Sequence, residues 1–562
     1  MSKHEEVGTK MTFTQHKSQK NANTDFDAVI IGAGFSGLYM LYRLREAGFS
    51  VQAYDAAPDV GGVWYANRYP GAKCDSESII YNYMFSEELY QEWTWSSRYP
   101  EQAEILSYLN YVADKFDLRR DIQFNTRMTA AHYDEVNNRW RLQTEDGTHI
   151  TATYFITGVG NLSSSNIPKF KGLDSFEGDW YHTGHWPLEK VEFKEKRVGV
   201  IGTGSSGIQS IPVIAEEAGH LFVFQRTPGY CTPARNHAYD PEFIRQTKAN
   251  YSEIKRQTRE SATGYLHKLI HDRSALADSP EERQREYQKV WDRGGFGLGT
   301  TYNDLIINPT ANETVAEFIR SKIGETVKDP KTAELLKPTY YFAAKRPVLD
   351  TNYYETYNRD NVTLVDVKST PITEITPKGI KTTEEEYALD ILVFATGYDA
   401  MTGPLFKIDI RGKDGISLKE KWAGGPQTRT YLGIANAGFP NMFMITGPES
   451  PSSLSNVPVS IEQHVEWIGD CLEYLREHGI TTIEAKAEAE EAWSAHCREV
   501  ADATLYTKTD SWYTGANIEG KPRGFLIYVG GVGAYRKICD EVAAKGYEGF
   551  SLTPMSAKET IS

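Results

Sequence analysis

Cysteine is scarce. Cys74, Cys231, Cys471, Cys497 and Cys539 are scattered over 562 residues, with no CxxC pair among them. An odd, dispersed set excludes a disulfide framework and a paired-thiol redox centre, and it suits a reducing cytoplasm. Positive charge is also short: 61 Lys and Arg face 76 Asp and Glu, a formal charge of −15. That leaves no cationic excess to grip nucleic acid or anionic lipid. No apolar run has the length needed to span a bilayer, so no membrane partner is expected. Residues 1–24 are polar and lack the apolar core of a signal peptide; they read as a disordered arm. What remains, 40% hydrophobic and 24% charged, is the composition of a soluble globular protein. Its length calls for about two to four domains.

Glycine, by contrast, is placed with purpose. In "DAVIIGAGFSGLYMLYRLREAGFSVQAYD" a short buried strand runs into Gly32, Gly34 and Gly37, then a helical pattern, then a second strand ending at Asp55. In such a unit Gly32 makes the tight turn and Gly34 lets backbone approach a pyrophosphate. Gly37 lets helix and strand pack closely, and the helix N-terminus faces the phosphates. Asp55 stands where a carboxylate holds a ribose hydroxyl pair. The pattern recurs in "KRVGVIGTGSSGIQSIPVIAEEAGHLFVFQRTP", with Gly202, Gly204 and Gly207. Here the second strand ends in Arg226 and Thr227 instead of an acid. A guanidinium accepts a 2′-phosphate that a carboxylate would repel, so this loop reads as NADP-binding. The plainer alternative is an arginine that merely caps a strand end.

Two dinucleotide loops imply an α/β chain with two Rossmann-type domains, one for a flavin and one for a nicotinamide. FAD is expected in the first, because "ILVFATGYD" (391–399) and "MFMITGPES" (442–450) read as later strands of a large flavoprotein domain. The expected boundaries are residues 25–155 and 390–562 for the FAD domain, and 156–233 and 339–389 for the NADP domain. Residues 234–338 break the strand–helix rhythm with polar helical stretches and read as a helical insertion in the NADP domain.

Between the loops lies "FEGDWYHTGHWP", Phe176 to Pro187. His182 and Trp186 are spaced to share a helical face or to brace a linker between domains. His182 and His185 invite a zinc reading, but no Cys, Asp or Glu cluster completes a ligand set, and no metal is expected. The stretch resembles the fingerprint of type I Baeyer–Villiger monooxygenases, whose relatives that oxidise nitrogen or sulfur usually end the pattern differently. A second family pattern stands as "GGVWYANRYPGAKCD", Gly61 to Asp75. The resemblance runs from about Asp25 to Phe550.

The resemblance implies an NADPH-dependent flavin enzyme that turns a ketone and dioxygen into an ester or lactone through an anionic flavin peroxide. It makes Arg346, in "AAKRP", the catalytic arginine, with Asp75 pairing and positioning it and Lys345 helping to hold the NADP phosphate. A permanent cation is suited to stabilising peroxide and adduct charge in a dry site. On the residues alone, a solvated Lys-Arg pair is the plainer reading. The resemblance further assigns Gly32, Gly34, Ser36, Gly37 and Asp55 to FAD, with Gly62, Val63, Trp64, Tyr65 and Tyr81 lining the flavin. Thr203, Gly204, Ser205, Ser206, Gly207, Arg226 and Thr227 fall to NADP. Trp512 would close over the nicotinamide from a mobile loop, the alternative being a core anchor. The family's hinge role is expected for the 176–187 stretch, and residues 447–468 should border the substrate. A monomer in the cytoplasm is expected. The rivals are a flavin monooxygenase for nitrogen or sulfur nucleophiles and a non-catalytic redox sensor; a disulfide reductase lacks its cysteine pair.

Overall fold

The computed structural model describes residues 24–425 and 427–555; most of the arm expected at residues 1–24 lies outside them. The first glycine loop belongs to a large mixed sheet. In spatial order it runs Asp409–Arg411, Met128–Asp134, Arg139–Thr144, His149–Thr157, Phe26–Ile31, Val51–Tyr54 and Ile122–Gln123. Its central strands, Phe26–Ile31 and His149–Thr157, are parallel. They are buried apolar runs with helices against them, as parallel strands require. Met442–Met444 adds in parallel to the far end of His149–Thr157, as expected of a later strand of this domain.

The second loop belongs to a separate, wholly parallel sheet. Its order is Val362–Asp366, His220–Gln225, Arg197–Ile201, Ile391–Phe394 and Asp179–His182. Two expectations change here. Ile391–Phe394 was expected in the FAD domain; it pairs with Arg197–Ile201 instead. A run of four buried apolar residues looks alike in any parallel sheet, so its partner is decided by topology. And Asp179–His182 forms an edge strand, which removes the helical face considered for His182 and Trp186. Gly178 enters that strand so tightly that a Cβ would lie 2.3 Å from Asp390 O.

Residues 234–338 are helical, as expected, but they serve both sides. Tyr251, Ile254 and Tyr265 pack with Ile79, Ile80 and Met84 of the first domain. Tyr287, Val290, Val315 and Phe318 join the core of the second. Arg259 pairs with Glu462 and Glu466 on the long helix Val457–Glu477. The insertion therefore straps the two sheets together.

Candidate active site

Both glycine loops open into one cleft of about 1770 Å³. Single small-molecule sites are roughly 300–1,000 Å³, so the cleft has room for two dinucleotides. On the first side Gly32 turns at φ 110°, where a Cβ would meet Gly158 O at 2.4 Å, and Gly34 faces Gly62, where a Cβ would lie a tight 3.3 Å from Gly62 Cα. Asp55 accepts the Ala33 N–H (2.6 Å) and the Ala57 N–H (2.8 Å). Burial pushes its pKa up, and those two donors pull against it. Gly62 to Tyr65 form the next wall, where the Trp64 indole N–H donates to the Tyr81 hydroxyl (3.0 Å).

On the second side Gly202 turns at φ 109°, and a Cβ on Gly204 would meet nothing, because it points into open cleft. Thr203, Ser205 and Ser206 line the same wall. Two of the candidate residues stand apart. Gly37 and Gly207 are absent from the cleft wall, and a Cβ there would lie 1.7 Å from Gly32 O and 2.2 Å from Gly202 O. They let each helix press on its own loop, so their part in any nucleotide site is indirect. Arg226, exposed at its strand end, and Lys345 face each other across the wall. Burial lowers the Lys345 pKa, the Arg226 charge lowers it further, and Asp510 offsets part of this. Two cations held together in this way make a site for an anion.

Arg346 reaches the cleft between the two sides. Its Nε donates to Asp75 Oδ2 (2.8 Å) and its Nη2 to Asp75 Oδ1 (2.9 Å), a bidentate pair. Nη1 donates to the Ser453 carbonyl (2.6 Å). The guanidinium also lies over the Phe296 ring, 5.6 Å from its centre. Burial alone would lower the arginine pKa, but Asp75 and the Tyr265 hydroxyl outweigh it and raise it well above the ordinary value. The group stays charged. Of the five N–H donors of a guanidinium, Nε and one hydrogen on each Nη are taken, which leaves two for an oxygen in the cleft.

Trp512 lines the cleft from a short helical turn and packs on Tyr513, 4.4 Å between centres. It is half-buried against the cluster that contains Met401 and Tyr513. The helix Val457–Glu477 and the loop before it put Ser453, Ser455, Val457 and Pro458 on the wall. In the 176–187 stretch Trp186 is buried and donates its backbone N–H to Ala66 O (3.4 Å), while His182 Nδ1 accepts from Gly184 N (2.9 Å). Trp186 thereby ties the stretch to the short helix Val63–Ala66, while the His182 bond stays within it. Ser453 falls within the 447–468 stretch expected at the substrate, but its backbone carbonyl contact with Arg346 was not foreseen; Phe296, whose ring comes from the insertion, carried no signal.

The flavin-binding monooxygenase-like family model matches residues 27–262. A Baeyer–Villiger monooxygenase of Pseudooceanicola batsensis is 47% identical over 537 residues, 95% of this chain and 97% of that one. The phenazine N-monooxygenase PhzNO1 of Lysobacter antibioticus is 44% identical, covering 95% of this chain and 98% of that one. A crystal structure of OTEMO in complex with FAD and NADP superposes with TM-score 0.91 at 40% identity, over 94% of this chain and 100% of that one.

Proposed function

The chain belongs to the Baeyer–Villiger monooxygenases of the flavin-binding monooxygenase-like family, and on that premise we propose that it consumes NADPH and dioxygen to set one oxygen atom beside a ketone carbonyl, giving an ester or lactone. The residues fit both cofactors. The first loop, closed to any side chain at Gly32, would hold the FAD pyrophosphate, and Asp55 its ribose. The second would hold NADP, with its 2′-phosphate between Arg226 and Lys345, whose like charges call for an anion. Bound FAD supplies the centre that takes hydride from NADPH and delivers oxygen.

The protein's own part is positioning and charge. Arg346 presents two unused N–H groups and a fixed positive charge to the carbonyl oxygen as it turns tetrahedral. Asp75 sets the plane of that guanidinium and the Ser453 carbonyl sets its reach. The observation that carries the proposal is this clamped arginine between two dinucleotide loops. We divide the chain after Phe394, assigning the parallel sheet to NADP and the mixed sheet to FAD, with 234–338 as a strap. The five cysteines are free and buried, which suits work in a reducing cytoplasm, and a monomer is taken as the working state.

The second reading is oxygenation of nitrogen or sulfur, favoured by the phenazine N-monooxygenase relative. One experiment separates them. Purified protein is given NADPH and air with a ketone panel and, in parallel, heteroaromatic amines and thioethers. Esters or lactones from ketones are expected as main products. Consumption of NADPH with N-oxides or sulfoxides and no ester would refute the proposal.

A further inference from the structure

Before Asp75 the chain makes a tight turn, Tyr69 to Lys73, closed by Ala72 N–H to Tyr69 O (3.1 Å). That turn belongs to the mixed sheet's side of the cleft. The helix Ser205–Glu217 belongs to the parallel sheet's side, and Gln209 lies on it within a turn of Gly207. One side chain joins them. The Tyr69 hydroxyl donates to Gln209 Oε1 (2.7 Å), and Gln209 Nε2 donates to the Lys73 carbonyl (3.0 Å). Both ends of the turn are thus held by one amide.

A second observation, from the backbone, points the same way. Gly71, at the turn's tip, has φ +79°, and a Cβ there would lie 2.3 Å from Gln209 O and 3.0 Å from Val213 Cγ2. No side chain fits at Gly71 without moving the helix. Beyond Lys73, Cys74 N–H is held by Pro100 O (3.0 Å), and the next residue is Asp75. Little freedom separates the amide of Gln209 from the carboxylate that orients Arg346.

We propose that Gln209 is a positioning residue for oxygen transfer: through the Tyr69–Lys73 turn it locks the nucleotide-binding helix to Asp75, so that Arg346 is aligned only while the two sides of the cleft are docked. The inference rests on the function proposed above. Productive turnover gives ester, NADP⁺ and water from ketone, dioxygen, NADPH and a proton. Unproductive turnover gives NADP⁺ and hydrogen peroxide from NADPH, dioxygen and a proton. A loose clamp shifts flux to the second.

Gln209→Met keeps the side-chain volume and removes both hydrogen bonds, and Tyr69→Phe removes one. Ester and peroxide per NADPH are measured for each variant, for the double variant and for native holoenzyme, together with NADP⁺ affinity by titration of the flavin absorbance and the melting temperature. Losing a neutral hydrogen bond shifts a two-state population roughly three- to tenfold. The ester share should fall by about that factor in Gln209→Met and less in Tyr69→Phe. The double variant should be no worse than Gln209→Met, with NADP⁺ affinity within about twofold of native. A native ester share in Gln209→Met would overturn the inference. So would a fall matched by an equal loss of NADP⁺ affinity, which would make Gln209 a nucleotide-binding residue only. If native enzyme itself yields no ester from any ketone, the functional proposal fails, and that result is read independently of the variants.

Discussion

Asp75→Asn tests how the catalytic charge is held. Asparagine keeps the shape but offers one acceptor oxygen and an N–H₂ that faces the arginine. Breaking a fully buried ion pair costs about 3–5 kcal/mol. Here the side chains of Arg346 and Asp75 are 20% and 25% exposed, so solvent screens the pair, and about 1–3 kcal/mol is the better figure. At about 1.4 kcal/mol per tenfold, kcat for ester formation should fall about tenfold to hundredfold. Arg346→Ala removes the charge itself and should cost about a hundredfold to a thousandfold. Both variants should still fold and retain FAD, because neither side chain belongs to a hydrophobic core. If Asp75 works only through Arg346, the double variant loses no more than Arg346→Ala alone. Steady-state ester formation, measured by gas chromatography at saturating NADPH, gives all four rates. A double variant whose loss equals the product of the single losses would refute the reasoning, since Asp75 would then act on the substrate by its own route.

Arg226→Ala should raise the KM for NADPH about ten- to a hundredfold and leave that for NADH nearly unchanged, as expected for one lost charge-assisted phosphate contact; unaltered discrimination in steady-state assays would move that role elsewhere. Trp512→Ala should retain FAD and hasten NADP⁺ release in stopped-flow measurements, and a native off-rate would refute a closing role. Glu449 is buried and its pKa is pushed up to about 7, first by burial. A carboxyl with a folded pKa above its unfolded 4.5 contributes stability below pH 4.5 that is lost as pH rises through 7. Glu449→Gln should therefore gain on native protein by about 3 kcal/mol between pH 4.5 and pH 8; parallel melting-temperature profiles would contradict this.

What the sequence made legible was local. Each Gly-x-Gly-x-x-Gly lies between a strand and a helix, and its spacing alone predicts a turn, a close approach and a packing contact. The glycine geometry at Gly32, Gly37, Gly202 and Gly207 follows that pattern. Less legible was anything decided by which strand finds which. "ILVF" is a buried apolar run, and nothing in its pattern distinguishes an inner strand of one parallel sheet from an inner strand of the other. The insertion was legible as helices from its polar periodicity. Its division between two cores was not, because Tyr251 and Tyr287 look alike until their partners are known. Arg346 and Asp75 lie 271 positions apart, and no spacing argument joins them. That pair came from resemblance, and the geometry then supplies its physical reason. The 447–468 loop was legible as a border of the substrate, but the bond from Ser453 to Arg346 was not, since any residue carries a carbonyl.

The Ser453 carbonyl also gives a reason for the otherwise costly burial of Glu449. The loop that delivers it carries Thr446 at φ 52°, Glu449 at φ 65° and Ser452 at φ 33°. Non-glycine residues in that region cost of order 1–3 kcal/mol each and persist only where neighbours enforce them. Glu449 pins the middle of this loop. One carboxyl oxygen accepts the Thr430 N–H (2.8 Å), the Thr430 hydroxyl (3.0 Å) and the Ser494 hydroxyl (2.8 Å). Its backbone N–H is held by Leu526 O (2.7 Å), and its carbonyl accepts from the Trp493 indole (3.2 Å). Across the cleft, the turn before Arg346 carries Ala343 at φ 67°. The guanidinium is therefore caught between two strained segments and one carboxylate turn, each anchored in a different part of the chain. A single long side chain on an unstrained loop would sample many rotamers. Three anchors leave it one direction, which is what a charge must have if it is to meet an oxygen only when that oxygen becomes negative.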